Sequence, residues 1–229
     1  FLFVFLPIAL VIYFGIARLA ANHTIIGVSG PTFLLLCISL AFYMTWHWAY
    51  VFLLVASVTV TALAAPHVVP GNPRARLFLS GSIIVHLGVL GFYKYLDFLG
   101  SSAAYLMNLD WVEQHILLPL GISFFTFQQI SYLIDLRNGH AAVARWSKIA
   151  TYISFFPQLI AGPIVRFSQV AGRLAAPRLR PTAGDVLGAV VFFSMGLFKK
   201  SFLADHLALY ADPVFATVAS GAAVNTVEA

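Results

Sequence analysis

The chain has 229 residues, of which 61% are hydrophobic and only 9% are charged. Soluble domains carry roughly a quarter charged residues, so this composition cannot cover a water-facing surface and excludes a soluble globular protein. The chain carries 13 Lys and Arg against 8 Asp and Glu. No basic run is interleaved with stacking aromatics, so we expect no nucleic-acid partner and interpret the excess as membrane topology. We therefore predict that membrane lipid surrounds the protein.

The first apolar run is too long for a signal peptide and lacks a basic n-region, so we interpret it as a membrane span. A crossing helix needs about 20 apolar residues, whereas membrane strands would alternate over about ten. That alternation is absent, and we predict an all-α, polytopic membrane helical bundle. The predicted spans are 1–18, 31–46, 48–65, 77–96 and 115–135.

The loops between these spans have recognisable compositions. Residues 19–73 contain no Asp, Glu, Lys or Arg, which is long enough for two crossings. The aromatic cluster 46–48 suits a turn at the membrane interface between them. Pro66, Pro70, Gly71 and Pro73 mark the next loop.

The charges predict the orientation of the spans, because cytoplasmic loops carry an excess of Lys and Arg. With the N-terminus outside, Asp97, Asp110 and Glu113 fall outside, and only Lys94 is a basic residue toward that face, close enough to a span end to snorkel. The residues that then fall inside are Arg18, Arg74, Arg76, Arg137, Arg145 and Lys148.

The apolar segment 149–165 has basic residues at both ends, which argues against a simple crossing. Lys148 precedes it, and the basic residues that follow it are Arg166, Arg173, Arg178 and Arg180. Pro157, Gly162 and Pro163 interrupt it, and broken backbone at membrane depth needs protein or a water-filled cavity around it. We predict a re-entrant or interfacial helix pair that lines a cavity. A proline-kinked span is the alternative.

The last predicted helix covers 183–210. Thirteen uncharged residues precede Lys199 and Lys200, which is too few for a full span. Either these lysines lie in the interior of the membrane protein, or the helix ends there at an interface.

A polar face is predicted on the helix that begins near Pro119, where helical spacing aligns five positions. Polar groups inside a span usually meet protein or water, so this face predicts a cavity or tunnel wall. Helix–helix hydrogen bonds are the alternative, and Asp135 could also pair with Arg137. The five residues are Gly121, Phe125, Gln128, Tyr132 and Asp135.

Two further polar residues, Gln158 and Arg166, bracket the interruptions of segment 149–165 and would project into the same hollow. An arginine beside a re-entrant turn can steady a carboxylate, a phosphate or a thioester carrier. Snorkelling of Arg166 to lipid phosphate is the alternative.

No catalytic residue is assigned within the chain. None of the seven histidines is followed five positions later by Asp, and nucleophile-elbow, Walker, dinucleotide-binding and His-Glu-x-x-His motifs are absent. We expect hydrogen-bonded packing or interface roles for His47 and His86. The single cysteine, Cys37, leaves no thiolate cluster, so we expect no metal site.

Several long motifs resemble one family. Residues 119–128 (PLGISFFTFQ) with 132–135 (YLID) resemble the signature of the membrane-bound O-acyltransferases. Residues 155–166 (FFPQLIAGPIVR) are similar to a stretch typical of its alginate O-acetyltransferase branch. Residues 91–95 and 196–200, with Asp205 behind the latter, agree with that branch in order and spacing.

The resemblance implies an acyltransferase of the bacterial inner membrane with a central funnel. It moves an acyl group, expected to be acetyl, from a donor or carrier on the cytoplasmic side to alginate or a similar exopolysaccharide. Periplasmic acetyltransferase proteins are the implied partners. No bound cofactor is expected, and the resemblance does not identify the activated acyl donor.

By the same resemblance the chain is one transmembrane domain, 1–229, corresponding to the N-terminal half of such an enzyme. The family's histidine is expected beyond Ala229, so we expect this half to be inactive alone. The residues expected to line the tunnel or donor side, or to support that core, are Gln128, Tyr132, Asp135, Gln158, Gly162, Pro163, Arg166, Lys199, Lys200 and Asp205.

Two other functions remain open from the sequence. The first keeps the fold and changes the reaction to D-alanyl transfer to teichoic acid. The second is a transporter subunit without chemistry, because broken helices around a midplane site also occur in transporters.

Overall fold

A computed structural model describes residues 3–17, 19, 23–25, 28–109, 111–159, 162, 165–175 and 179–220. The chain divides into two units, Phe1–Leu179 and Arg180–Ala229, which are described separately. In the described residues the strands are limited to β1 (Thr24–Ile25) and β2 (Val28–Ser29), which pair antiparallel with Ile25 opposite Val28. The predicted all-α class of a membrane helical bundle is confirmed.

The first unit is built from helices joined by short connections. A π-helical turn, Gly91–Tyr95, joins α4 and α5 into one continuous helix. The helices are α1 (Phe5–Ile16), α2 (Gly30–Met44), α3 (Tyr50–Val68), α4 (Ala75–Leu90), α5 (Leu96–Met107), α6 (Ile122–Arg137), α7 (Trp146–Ser154), α8 (Phe156–Leu159) and α9 (Phe167–Ala175).

Among the described residues, three continuous helices are long and apolar enough to cross a membrane: Tyr50–Val68, Ala75–Met107 and Ala183–Ala219. Helix α1 lies within the predicted span 1–18, and α2 begins one residue before the predicted span 31–46; they have 12 and 15 residues. Helix α3 continues past the predicted end at 65 and includes Pro66. It ends where Val69, which precedes Pro70, becomes extended (φ −60°, ψ 154°), as a residue before proline prefers.

The fourth predicted span, 77–96, continues to Met107 because Asp97 does not end it. The Asp97 carboxylate accepts hydrogen bonds from the backbone N–H groups of Gln114 (2.8 Å) and His115 (3.2 Å), and from Trp111 Nε1 (3.3 Å). A carboxylate with such partners need not reach the interface. The helix ends instead at Asn108, which takes the left-handed conformation (φ 54°) common after helix C-termini.

The fifth predicted span, 115–135, is wrong at its start, because α6 begins at Ile122. Residues 111–119 form no helix. Side chains from other elements hold this segment: Tyr50 Oη donates to the Leu117 carbonyl, and Trp46 Nε1 donates to the Leu118 carbonyl at 3.4 Å. The apolar side chains of the segment stay largely exposed, with Val112 at 76% and Leu117 at 50%, so this apolar run forms neither a helix nor part of the packed core.

The core of the first unit surrounds α6 and α7. Helix α7 packs against α2 and α3, and α6 packs against α3 and α4. Leu133, Leu136, Ile149 and Ile153 are almost fully buried between these helices. Helices α6 and α7 are thus enclosed by the apolar helices α2, α3 and α4.

The predicted interruption of segment 149–165 is present. Helix α7 ends at Ser154, Phe155 leaves the helical conformation (φ −52°, ψ 104°), and α8 follows with four residues. Pro157 is the second residue of α8, a position where its missing N–H costs no helical hydrogen bond. Pro163 lies outside the described residues.

The second unit is a continuous helix made of α10 (Ala183–Phe198), a π-helical turn (Lys199–Ala204) and α11 (Asp205–Ala219). A capping box begins it: Thr182 Oγ1 accepts from the Asp185 N–H, and the Asp185 carboxylate accepts from the Thr182 N–H. The alternative that this helix stops at the lysine pair is wrong, because the turn carries it through.

Candidate functional site

The polar face predicted on α6 is buried. Phe125 and Tyr132 have no exposed surface, and Gln128 and Asp135 are 3% and 5% exposed. Gly121 lies just before the helix in the left-handed conformation, with φ +66°. The structure therefore brings the predicted face into the protein interior.

The start of α6 lies against the broken segment, where Gly121 is close to Leu159. A Cβ atom on Gly121 would lie 2.5 Å from the Leu159 carbonyl oxygen, a distance that real Cβ atoms do not tolerate. Gly162 is equally crowded, since its Cβ would lie 2.5 Å from Gln158 Cγ, and its N–H donates to the Gln158 carbonyl at 3.1 Å. The two sequence motifs that carry the resemblance thus touch through backbone atoms.

Three aromatic rings connect α6, α7 and α9. The Phe167 ring lies 4.8 Å from that of Tyr132 and 5.3 Å from that of Tyr152. The Tyr152 hydroxyl donates to the Val165 carbonyl at 2.5 Å. Tyr132 Oη accepts from the Ala144 N–H at 2.9 Å. The residues on both sides of Arg166 are therefore anchored, while the Arg166 side chain is exposed.

A cavity of about 240 Å³, called the first cavity, lies beside the broken helix. Its walls are mostly apolar, with polar groups from Tyr152, Gln158 and Arg173. Of the predicted site residues, Gln158 lines it. Its described lining residues are Thr32, Leu35, Tyr152, Phe155, Gln158, Val170, Arg173 and Leu174.

Arg173 is a lining residue that the sequence prediction did not include. On α9, Val170, Arg173 and Leu174 share one face by their spacing, and all three line the first cavity. That spacing was a usable signal, but Arg173 was assigned only to the basic flank of segment 149–165. A guanidinium at an apolar cavity suits a ligand with an anionic end.

Asp135 combines burial with an incomplete set of hydrogen bonds. Its Oδ2 atom is buried and has no hydrogen-bond partner in the part of the chain that the structure describes. The predicted alternative, a pair with Arg137, is not made through this oxygen. A buried carboxyl oxygen without a partner is costly, so such atoms require a functional or structural explanation.

A hydrogen-bonded ring that the sequence prediction missed joins α3, α4 and α6. Thr61 Oγ1 donates to Gln129 Oε1 (2.7 Å), and Gln129 Nε2 donates to Ser57 Oγ (2.9 Å) and to the Phe125 carbonyl (3.1 Å). The His86 ring completes it, with Nε2 2.9 Å from Thr61 Oγ1 and Nδ1 3.3 Å from Ser57 Oγ.

The hydrogen-bond donors in this ring determine which nitrogen of His86 carries the hydrogen. Because the Thr61 hydroxyl hydrogen goes to Gln129, the Thr61 oxygen must accept from His86 Nε2–H. Nδ1 is then free to accept from the Ser57 hydroxyl, as neutral imidazole can. All four groups donate in one direction around the ring, which confirms the expected packing role of His86.

Lys199, Lys200 and Asp205 belong to the second unit. Lys200 Nζ lies 2.8 Å from Asp205 Oδ2, and their side chains are 71% and 50% exposed. Phe198 and Phe202 stack beside them at 5.1 Å. An ion pair this exposed contributes little stability.

The first cavity can bind and guide a ligand. Among its described lining residues there is no His, Asp or Glu. The described residues also contain no group of three metal-ligating side chains. The chemistry available there is hydrogen-bond acceptance by the Tyr152 hydroxyl, whose hydrogen is donated to the Val165 carbonyl, and the positive charge of Arg173.

The fold and site define a polytopic, all-helical membrane protein with a broken helix beside a cavity. The chain is 32% identical to the peptidoglycan O-acetyltransferase of Helicobacter pylori, over 93% of the chain and 45% of that protein. It is 34% identical to the probable alginate O-acetylases of Pseudomonas syringae and Pseudomonas aeruginosa, each over 94% of the chain and 41% of the relative. No family profile and no solved structure matches.

These similarities confirm the resemblance to the alginate O-acetyltransferase branch of the membrane-bound O-acyltransferases. The chain spans less than half the length of these curated relatives. The Gly121 and Leu159 motifs both lie within the compared length, since the similarity covers nearly the whole chain.

Proposed function

We propose that the protein acts as a membrane O-acetyltransferase that acetylates a cell-envelope polysaccharide, alginate or a similar exopolysaccharide. The observation that carries this proposal is the identity of 32–34% over 93–94% of the chain to proteins named as O-acetylases or O-acetyltransferases. The name of one relative includes peptidoglycan, which makes peptidoglycan a second acceptor to test.

In this proposal the described part of the chain supplies a dry path for the acyl group. The first cavity is large enough for an acetyl group and has apolar walls, which would limit hydrolysis of an activated donor. Gln158 and Tyr152 would orient the group, and Arg173 would hold the anionic end of its donor. Gln128, Tyr132 and Asp135 would form the wall behind it, and a histidine beyond Ala229 would supply the general base.

The proposed location is the bacterial inner membrane, with the N-terminus outside and the donor on the cytoplasmic side. That orientation places Arg137, Arg145 and Lys148 at the donor side by the charge rule. Segment 149–165 would re-enter from this side. Periplasmic acetyltransferase proteins would take over the acyl group on the other side.

The names of the relatives favour acetyl transfer over the two alternatives, D-alanyl transfer and transport without chemistry. A direct test is to express the full-length protein in a strain that lacks it and to release esters from the envelope polymers with mild base. We expect acetate that depends on the protein. Released D-alanine, or no ester that depends on the protein, would overturn the proposal.

The donor-side role of Arg166 is tested in the same assay. Arg166→Ala should abolish acetylation while membrane insertion stays intact, and Arg76→Ala, another exposed arginine, should not. Normal acetylation in Arg166→Ala would reject the role of this residue without rejecting the acetyltransferase.

A further inference from the structure

A second cavity, of about 520 Å³, is also lined in part by α9. Val170 and Leu174 line the first cavity, whereas Phe167 and Ala171 line the second. The loop after α6 and the start of α7 complete the second cavity with Val143, Arg145 and Lys148. The two cavities therefore share α9 as a common wall.

The second cavity is positively charged without local compensation. No acidic side chain occurs among its described lining residues. Neither Arg145 nor Lys148 forms an ion pair with a carboxylate among the residues that the structure describes. Both charges are therefore available to a ligand.

The start of α7 adds to this positive charge. Arg145 is the N-cap residue, Lys148 lies in the first turn, and that turn contains no acidic residue. The N-terminus of a helix carries a partial positive charge, so cations there are unfavourable and anions are favoured. A sequence that breaks such a local rule does so most often at a functional site.

The rest of the cavity is apolar. Phe167 is 5% exposed, with its ring in contact with Tyr132 and Tyr152, and it lines the cavity together with Ala171 and the more exposed Val143. A ligand that fits must carry an anionic group beside an apolar part. An arginine, a lysine and a helix N-terminus together suit phosphate oxygens.

We propose that the second cavity binds an organic phosphate ester. Arg145 and Lys148 would bind its phosphate group, and Phe167 would contact the apolar part of the ester. The phosphate belongs either to a phospholipid headgroup or to a soluble compound such as a thioester donor. The proposal goes beyond acyl transfer and does not require it, because binding is measured without turnover.

The test uses the full-length protein purified in detergent and titrated calorimetrically with two probes. Coenzyme A represents the soluble source, and dihexanoyl phosphatidylglycerol below its micelle concentration represents the lipid headgroup. We expect at least one probe to bind. The double variant R145Q/K148Q should weaken that binding by at least about ten-fold, because charge-assisted hydrogen bonds are lost.

Two matched variants separate this site from general charge effects. R74Q/R76Q removes two exposed arginines elsewhere and should bind like wild type, and R145K/K148R keeps both charges and should retain most of the affinity. Binding of coenzyme A alone identifies a soluble ligand, binding of the lipid alone identifies a headgroup, and binding of both supports the shared phosphate chemistry. If neither probe binds, or if R145Q/K148Q weakens binding no more than R74Q/R76Q, the proposal is wrong.

Discussion

Gly121 lies directly against the backbone of Leu159, so close that a Cβ atom would meet the Leu159 carbonyl oxygen at 2.5 Å. This contact joins the start of α6 to the end of α8. It brings the polar face of α6 and the broken segment together at one place, although 38 positions separate the two residues in the sequence.

Gly121→Ala should destabilise the protein in two ways. Alanine in the left-handed conformation costs about 1–2 kcal/mol, and overpacking against Leu159 adds roughly 1–3 kcal/mol. Gly139→Ala is the matched control, since Gly139 has φ +74° but only Pro70 Cγ at 3.8 Å. Thermal unfolding in detergent should show a larger loss for Gly121→Ala. Equal losses in the two variants would contradict the close contact.

Thr61→Val should break the hydrogen-bonded ring between His86 and Gln129. The change leaves His86 Nε2 and Gln129 Oε1 without their partner, and each unpaired buried group costs about 1–3 kcal/mol. Chemical denaturation should report this loss. Thr217→Val is the control, because Thr217 bonds only its own helix, through the Pro213 carbonyl at 2.8 Å. A Thr61→Val protein as stable as the control would exclude the ring as a stabilising feature.

Asp135→Asn should lower activity without lowering the stability of the protein. The folded state no longer has to bury a carboxyl oxygen that has no partner among the described residues, so we expect the melting temperature to stay the same or rise. Polymer acetylation should fall if the carboxylate serves the site.

The matched change Asp97→Asn should behave differently. Asp97 accepts three hydrogen bonds that hold the loop before α6, so its replacement should lower the melting temperature. If Asp135→Asn lowered the melting temperature as much as Asp97→Asn, Asp135 would be a structural residue.

Topology reporters test the re-entrant segment. Fusions after Gly139 and after Ala176 should report the same side of the membrane, because the segment between them is predicted to leave by the face it enters. Fusions after Gly71 and after Asn108, at opposite ends of the helix Ala75–Met107, should report opposite sides. Opposite signals from Gly139 and Ala176 would establish a crossing helix instead.

The sequence predicted features that depend on local composition and spacing. Charge-free runs predicted the membrane and the apolar helices α1, α2 and α3, and helical spacing predicted that Gln128, Tyr132 and Asp135 share a face. The position of Pro157 among apolar residues predicted an interrupted segment. Each of these follows from hydropathy or periodicity, which are properties of neighbouring residues.

Only the tertiary structure decided which polar groups meet. The Asp97 carboxylate accepts from Gln114 and His115, so α5 continues and α6 begins late. Gln129, next to the predicted Gln128, completes a ring with His86. Arg173, assigned by sequence to a basic flank, lines the first cavity. Hydrogen bonds and cavities join residues far apart in the chain, and a local pattern contains no information about the distant partner.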